Sequence, residues 1–188
     1  NMEKLKLTEE WDKTFPKSDK VDHSKVTFVN RFGITLAADL YVPKIAVADK
    51  FPAIAVSGPF GAVKEQSSGL YAQTLAERGF LTIAFDPSFT GESSGQPRSV
   101  ASPDINTEDF SAAVDYLATR PDVDAERIGI LGICGWGGFA INAAANDTRI
   151  KATVASTMYD ISRANANGYF DAADNADARY RMRRELNA

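Results

Sequence analysis

The residue of this chain best suited to nucleophilic chemistry is its single cysteine, Cys134. An apolar run rich in β-branched residues, 127–133, stops there, and glycines and an alanine-rich stretch follow. This pattern predicts a strand, a tight turn and a helix. Such a turn can hold a nucleophile in a strained conformation, and small neighbours such as Gly132 and Gly135 let the backbones approach closely.

Cys134 therefore has two interpretations. A thiolate is a strong nucleophile, and a helix N-terminus stabilises negative charge, so the turn predicts a catalytic cysteine. The alternative is a buried structural cysteine, because free cysteine is among the most buried residue types. The strand–turn–helix context favours the nucleophile.

A second loop can supply the groups that stabilise an oxyanion. The segment 57–62 follows a buried apolar run and is dense in turn formers. Acyl transfer needs two main-chain N–H donors, and Gly135 supplies one of them. Pro59 has no N–H, so Phe60 or Gly61 is the other candidate. The alternative is a generic turn. The candidates for lining a substrate pocket are Trp136, Ser57 and Asp160.

A competing motif overlaps the turn. Residues 135–140 match G-x-G-x-x-A, and Asp160 lies about 20 residues further on, which is the outline of a dinucleotide-binding fingerprint. Such fingerprints usually open a domain at its first βα turn, whereas this one follows four earlier strands. Dinucleotide binding is therefore the weaker alternative.

Composition limits the function classes. The 188 residues are 44% hydrophobic and 24% charged, as in one globular domain, and a net charge of −4 gives no reason to expect nucleic acid or an anionic membrane. One cysteine excludes an intrachain disulfide and favours a reducing compartment, so we expect a cytoplasmic protein. With one histidine, His23, no Cys/His zinc cluster forms within one chain, and we expect no metal and no cofactor. We interpret His23 as a surface histidine on an N-terminal arm.

The order of elements predicts an α/β fold with a mostly parallel sheet flanked by helices. We expect an arm over residues 1–24, a core over 25–160 and a polar helical segment over 161–188. Asn106 or Thr107 is the predicted cap of the third-last helix. The predicted strands are 25–30, 34–42, 51–56, 80–85, 127–133 and 151–158, and the other predicted helices are 67–78, one ending near Ala145, and 174–186.

Four sequence pieces together resemble the α/β-hydrolase fold, in its dienelactone-hydrolase-like and polyketide-transferase-like branch. They are 61–66, 79–86 with Gly91-Glu-Ser, Asp115-Tyr-Leu before Val123-Asp, and 127–138. The resemblance covers residues 25–165. It implies the sheet order 1-2-4-3-5-6, Cys134 at a nucleophile elbow, and hydrolysis of a small-molecule ester, thioester or lactone.

The chain departs from the family pattern in two ways. Trp136 stands two positions after Cys134, where the G-x-[SC]-x-G elbow has glycine. No histidine follows Cys134, although the family would add two more strands that carry the catalytic acid and the histidine base. We therefore expect a truncated hydrolase that lacks its Asp/His partners. The alternative is a non-catalytic binding or interaction module of the same fold.

This expectation has a consequence for the strand 151–158. Without further strands it is an apolar sheet edge, and such an edge invites pairing with another chain. We expect self-association through this edge, or its coverage by the polar C-terminal segment.

Overall fold

The described residues, 2–45 and 49–188 of a computed structural model, contain one six-stranded sheet with helices on both faces. Residue 1 of the predicted arm lies outside this range. The strands are β1 (Val21–Val29), β2 (Thr35–Pro43), β3 (Phe51–Ser57), β4 (Leu81–Phe85), β5 (Val123–Ile133) and β6 (Ile150–Ser156). The helices are α1 (Ser67–Ala76), α2 (Pro103–Ala118), α3 (Gly135–Asn146), α4 (Ile161–Asn167) and α5 (Ala176–Leu186), with a 3₁₀ turn at Tyr169–Asp171.

The strand order is β1-β2-β4-β3-β5-β6, which confirms the predicted order and the α/β class. β1 and β2 form an antiparallel hairpin, and β2 is antiparallel to β4. The remaining pairs are parallel. β4 is buried at every position because it lies inside the sheet with helices on both faces, and its apolar run LTIAF fits that environment.

The helices cover opposite faces of the sheet. The Thr82 hydroxyl donates to the Ala72 carbonyl of α1 at 2.7 Å, whereas the Phe85 ring packs 5.3 Å from the Phe110 ring of α2. Side chains alternate along a strand, so positions 82 and 85 point to different faces and α1 and α2 sandwich the sheet. This two-sided core fixes the carboxyl ends of β3, β4 and β5 relative to one another.

The start of α2 differs from the prediction. The cap is Ser102, whose hydroxyl oxygen accepts from the Ile105 N–H at 3.5 Å, and Pro103 takes the first helical position. Proline suits that position because its missing N–H would have no partner there. The predicted cap at Asn106 or Thr107 is therefore wrong. The Asn106 side chain instead accepts from the Ser102 N–H at 2.8 Å.

The chain divides into two units, residues 1–158 and 159–188. The described part of the arm belongs to the first unit: the Thr14 N–H donates to the Glu65 carbonyl at 3.0 Å. The second unit holds α4 and α5, and none of its helical residues is buried. Among the described residues, no helix is both long and apolar enough to cross a bilayer.

Candidate active site

Cys134 occupies a strained turn between β5 and α3. Its φ is +57°, in the left-handed region that residues other than glycine rarely adopt. The turn is held on both sides, because the Cys134 N–H donates to the Ser156 carbonyl at 2.8 Å and its carbonyl accepts from the Gly137 N–H at 2.9 Å. The thiol is thereby presented at the carboxyl edge of the parallel strands, where α/β proteins build their sites.

Two glycines make this turn possible. A Cβ atom on Gly132 would overlap the Trp136 carbonyl, and a Cβ atom on Gly135 would overlap the Phe60 ring. The first obstacle is main chain, which cannot move aside without opening the turn. The turn therefore depends on glycine at position 132 for close backbone approach.

The loop 58–62 lies against this turn. The Phe60 ring packs edge-on to the Trp136 ring, with 4.7 Å between centroids, and 6.0 Å from the Phe139 ring. In the part of the chain that the structure describes, the main-chain N–H groups of Phe60 and Gly61 bond to no protein acceptor. The Gly135 N–H, at the first position of α3, has no acceptor within the helix. The Phe60 ring contacts Gly135, the residue after Cys134, so the loop that carries these unbonded donors packs against the turn that carries the thiol. Loops and turns paired in this way build oxyanion sites.

The three residues predicted to line a substrate pocket have different surroundings in the structure. Trp136 is 2% exposed, and its ring packs against the Phe60 ring of the loop. Ser57 is fully buried, and its hydroxyl donates to the Phe85 carbonyl at 3.0 Å. Asp160 belongs to the second unit, where its carboxylate accepts from the Arg163 N–H at 2.9 Å and caps α4.

His23 is not a surface residue on the arm, as the sequence had indicated. It lies in β1 with 13% of its side chain exposed, and its Nε2 is 2.7 Å from Asp39 Oδ1. The alternating pattern predicts a strand that starts at residue 25, four residues after the observed start at Val21, and so places the histidine on the arm. Its ring also packs against Trp11 and Tyr41.

The sheet keeps His23 far from Cys134. The strand registers place His23 level with Gly129, four strand spacings away. Gly129 is five residues before Cys134 on β5. At about 4.8 Å per spacing and 3.3 Å per residue, the separation is about 25 Å, so His23 cannot act on the thiol.

A charged cluster that sequence reasoning missed lies behind the loop. The Lys64 side chain is fully buried, and its Nζ is 2.8 Å from Asp86, 2.6 Å from Glu65 and 2.7 Å from Glu92. Lys25 is a second cation on Glu92, at 2.8 Å. The sequence contained an indication of this cluster, because Asp86 and Glu92 lie in one of the four segments that resemble the α/β-hydrolase fold. Among the described residues, no group of three or more His, Cys, Asp or Glu side chains is arranged to hold a metal ion.

The electrostatics of this cluster keep its charges in place. Burial alone would lower the pKa of Lys64, but the adjacent Asp86, Glu65 and Glu92 carboxylates outweigh it and raise that pKa above its ordinary value. Burial alone would raise the pKa of Glu92, but hydrogen bonds from Lys25 and Lys64 lower it to about 2. Lys64 and Glu92 are therefore both ionised at neutral pH.

The sheet order and the strained Cys134 turn define this chain as a protein of the α/β-hydrolase fold. Residues 33–182 match the family described as X-Pro dipeptidyl-peptidase (S15 family), and the chain belongs to that family. The resemblance that the sequence motifs had indicated is thereby confirmed.

Several known proteins are similar to this chain. Uncharacterized protein PA2218 of Pseudomonas aeruginosa is 71% identical over 167 residues, covering 89% of this chain and 45% of the relative. Its crystal structure matches with a TM-score of 0.94 at 66% identity, covering 100% of this chain and 58% of the other. Thiohydrolase aneE of Aspergillus aculeatus is 33% identical over 134 residues, covering 71% of this chain and 41% of the relative. Alpha/beta hydrolase GrgF from Penicillium sp. sh18 matches with a TM-score of 0.64 at 28% identity, covering 70% and 44%. The chain spans about half the length of the curated relatives it matches.

The close approach at Gly132 predicts a strong substitution effect. Gly132→Ala places a methyl group into the Trp136 main chain and should lower the free energy of unfolding by about 1–3 kcal/mol. Gly138→Ala is the matched control: a Cβ atom there meets nothing within 4 Å, and alanine improves helix propensity by up to about 1 kcal/mol. Urea unfolding of both variants measures the difference. Equal stability of the two would contradict the packing described for the turn.

The lowered pKa of Glu92 predicts a pH dependence of stability. The pKa is about 2 in the folded protein against an ordinary 4.5, so the ionised carboxylate stabilises the fold above pH 4.5. The shift corresponds to about 3.4 kcal/mol, and solvent screening of the partly exposed carboxylate reduces this to about 2 kcal/mol, which is lost as the pH falls from 4.5 towards 2. Glu92→Gln should therefore destabilise the protein at pH 7 and converge with the wild type in acid.

Urea unfolding from pH 7 down to pH 3 measures that difference. Glu77→Gln, at an exposed position, serves as the control and should stay within about 0.5 kcal/mol of the wild type. A Glu92→Gln effect that does not change with pH would contradict the assignment.

Proposed function

We propose that the protein is a hydrolase of ester, thioester or lactone-type acyl substrates, with Cys134 as the nucleophile. One observation carries the proposal: Cys134 is held at positive φ in the turn into α3, and the loop 58–62, whose Phe60 and Gly61 N–H groups bond to no protein acceptor, packs against Gly135 and Trp136 of that turn. A thioester substrate is in keeping with the name of the relative thiohydrolase aneE. A reducing compartment such as the cytoplasm would keep the thiol free.

The geometry supports a two-step reaction. The Cys134 thiolate attacks the acyl carbon, and the carbonyl electron pair moves onto oxygen. The Gly135 N–H and the N–H of Phe60 or Gly61 donate to that oxyanion. Collapse of the intermediate expels the alkoxide or thiolate leaving group, which takes up a proton, and leaves an acyl-cysteine. Water then attacks the acyl carbon, releasing the acid and restoring the thiol.

The proton transfers need a base that we place outside residues 1–188. His23 is the only histidine of the chain, and it bonds to Asp39 about 25 Å from the thiol. The relatives are about twice as long as this chain, which leaves room for an acid and a histidine in a longer parent. In this proposal, the 188 residues supply the nucleophile and the oxyanion donors of a truncated hydrolase.

His23 is bonded to Asp39 and cannot serve the thiol as a base, which also favours a second candidate function. This candidate is a binding module that keeps the fold without catalytic turnover. The two candidates differ in the reactivity of Cys134. A binding module has no need of a thiol that reacts faster with acyl groups than an ordinary thiol does.

Acylation of the full chain by 4-nitrophenyl acetate distinguishes them. We expect Cys134 to be acylated at least about tenfold faster than a free thiol, because oxyanion donors lower the barrier by several kcal/mol. Intact-mass spectrometry follows the modification, with the urea-unfolded chain as a control that contains the same thiol without the turn. Equal rates in the folded and unfolded chain would reject the nucleophile and leave the binding module.

We also propose self-association through the edge strand β6. Its residues 151–154 are exposed, and in the described chain it pairs only with β5. Beside it lies an apolar groove of about 320 Å³, and Val154 in its wall is 53% exposed. The other apolar side chains lining the groove include Ile54, Leu75, Phe80 and Ala152.

Val154→Lys should abolish this association, because lysine on an edge strand opposes pairing with another chain. Ile141→Lys is the matched control, since Ile141 is exposed to a similar extent, 47%, but lies on α3. Light scattering across a concentration series measures the mass of each variant. A wild-type chain that stays monomeric throughout would overturn the self-association proposal.

A further inference from the structure

Lys64 is placed unusually for a loop lysine. Its side chain is fully buried, although it follows a polar turn rather than a core strand. Removing an ammonium group from water carries a large desolvation cost, which only close, well-oriented carboxylates offset. Lys64 has three of them: Asp86, Glu65 and Glu92.

Asp86 joins this ammonium group to the main chain of two loops. Its Oδ1 accepts from the Lys64 N–H at 2.8 Å, and its Oδ2 accepts from Lys64 Nζ at 2.8 Å and from the Glu92 N–H at 2.9 Å. Asp86 itself directly follows β4 in the centre of the sheet, and its N–H donates to the Ala37 carbonyl of β2 at 2.9 Å. The rigid sheet thus holds Lys64 through both its main chain and its side chain.

The loop between β3 and Lys64 is the one that carries the oxyanion donors. At its start, Gly58 lies against the Ile133 main chain and Trp136, and in its middle the Phe60 ring covers Gly135. At its end, Lys64 is fixed by Asp86. The free N–H groups of Phe60 and Gly61 therefore stand between two anchors.

We propose that Lys64 is a positioning residue, which acts through Asp86 to hold the loop 58–63 where its N–H groups meet the oxyanion formed at Cys134. This inference rests on the proposed function. A buried ion pair seldom adds more stability than an apolar pair of the same volume, so geometry is the better reason for these charges.

The N-terminal arm also contacts this cluster, through Glu92. The Thr8 N–H donates to Glu92 Oε1 at 2.7 Å, and Lys25 Nζ donates to Glu92 Oε2 at 2.8 Å. Glu92 also accepts from Lys64, so the arm, β1 and the loop meet at one carboxylate. Charge on this carboxylate keeps the Lys64 ammonium group directed at Asp86.

Two thiol reagents separate positioning from stability in the variant Lys64→Met. Acylation of Cys134 by 4-nitrophenyl acetate forms an oxyanion, whereas alkylation by iodoacetamide does not. Lys64→Met should slow acylation about tenfold to a hundredfold, as a misplacement near 1 Å does, and leave alkylation unchanged. The ratio of the two rates is therefore the readout.

Lys13→Met is the matched control. The Lys13 side chain is also fully buried, at 3.0 Å from Asp39 and 2.6 Å from Asp12, but it does not touch the loop. It should lower the melting temperature comparably and leave the rate ratio at its wild-type value. A lowered ratio in both variants would reduce Lys64 to a structural role.

The outcomes separate the two proposals. A wild-type rate ratio equal to that of a free thiol would reject the oxyanion site itself. An elevated wild-type ratio that Lys64→Met preserves would overturn only the role of Lys64. If Lys64→Met fails to fold, Glu92→Gln replaces it, because Lys64 then keeps Asp86 and Glu65. A smaller fall in the ratio is expected for Glu92→Gln, and an unchanged ratio would overturn the proposal.

Discussion

The close approach of main chain to main chain at Gly132 is the constraint on which the elbow depends. It lets β5 turn into α3 within one residue and leaves Cys134 at φ +57°. A residue other than glycine in that region costs about 1–3 kcal/mol, so the surrounding structure must hold it. The bond from Cys134 to the Ser156 carbonyl and the first turn of α3 do so. The thiol is thereby held at the carboxyl edge of the parallel strands.

A second constraint acts on the loop that packs against this turn. Loops of α/β proteins usually tolerate motion, but the loop before α1 is bonded to the sheet through Lys64 and Asp86. Its other contact, the Phe60 ring over Gly135, is apolar and less directional. The apolar contact of Phe60 brings the loop close to the turn, and the charged contact between Lys64 and Asp86 fixes its position along the sheet edge. Both are needed if unpaired N–H groups are to keep one orientation with no ligand present.

Much of this arrangement follows from local sequence, and some of it does not. The α/β class and the turn at Cys134 were predictable from local sequence, because alternating and apolar runs indicate burial and the glycines indicate close backbone approach. The strand order was predicted only from the resemblance to the α/β-hydrolase fold. The predicted start of α2 was wrong because Asn106 and Ser102 are both residue types that cap helices well. Only the missing N–H of Pro103, which suits the first helical position, favours Ser102. Lys64 was missed because a lysine in a polar loop is normally solvated. Its burial arises from Asp86, 22 positions further on, a contact that no local pattern contains.

If Cys134 acts as proposed, the geometry of the sheet limits where a base for its thiol can come from. All parallel strands present their carboxyl ends at one edge, which holds Cys134, whereas His23 lies towards the opposite edge. β5 and β6 are adjacent, so a further parallel strand paired to β6 would end two spacings from the thiol, about 10 Å away. A loop leaving such a strand can span that distance with a histidine. A second copy pairing antiparallel to β6 would present amino ends there instead. The proposed self-association and the proposed completion of the site therefore compete for the same edge, and a parallel strand is the occupant that fits the proposed reaction.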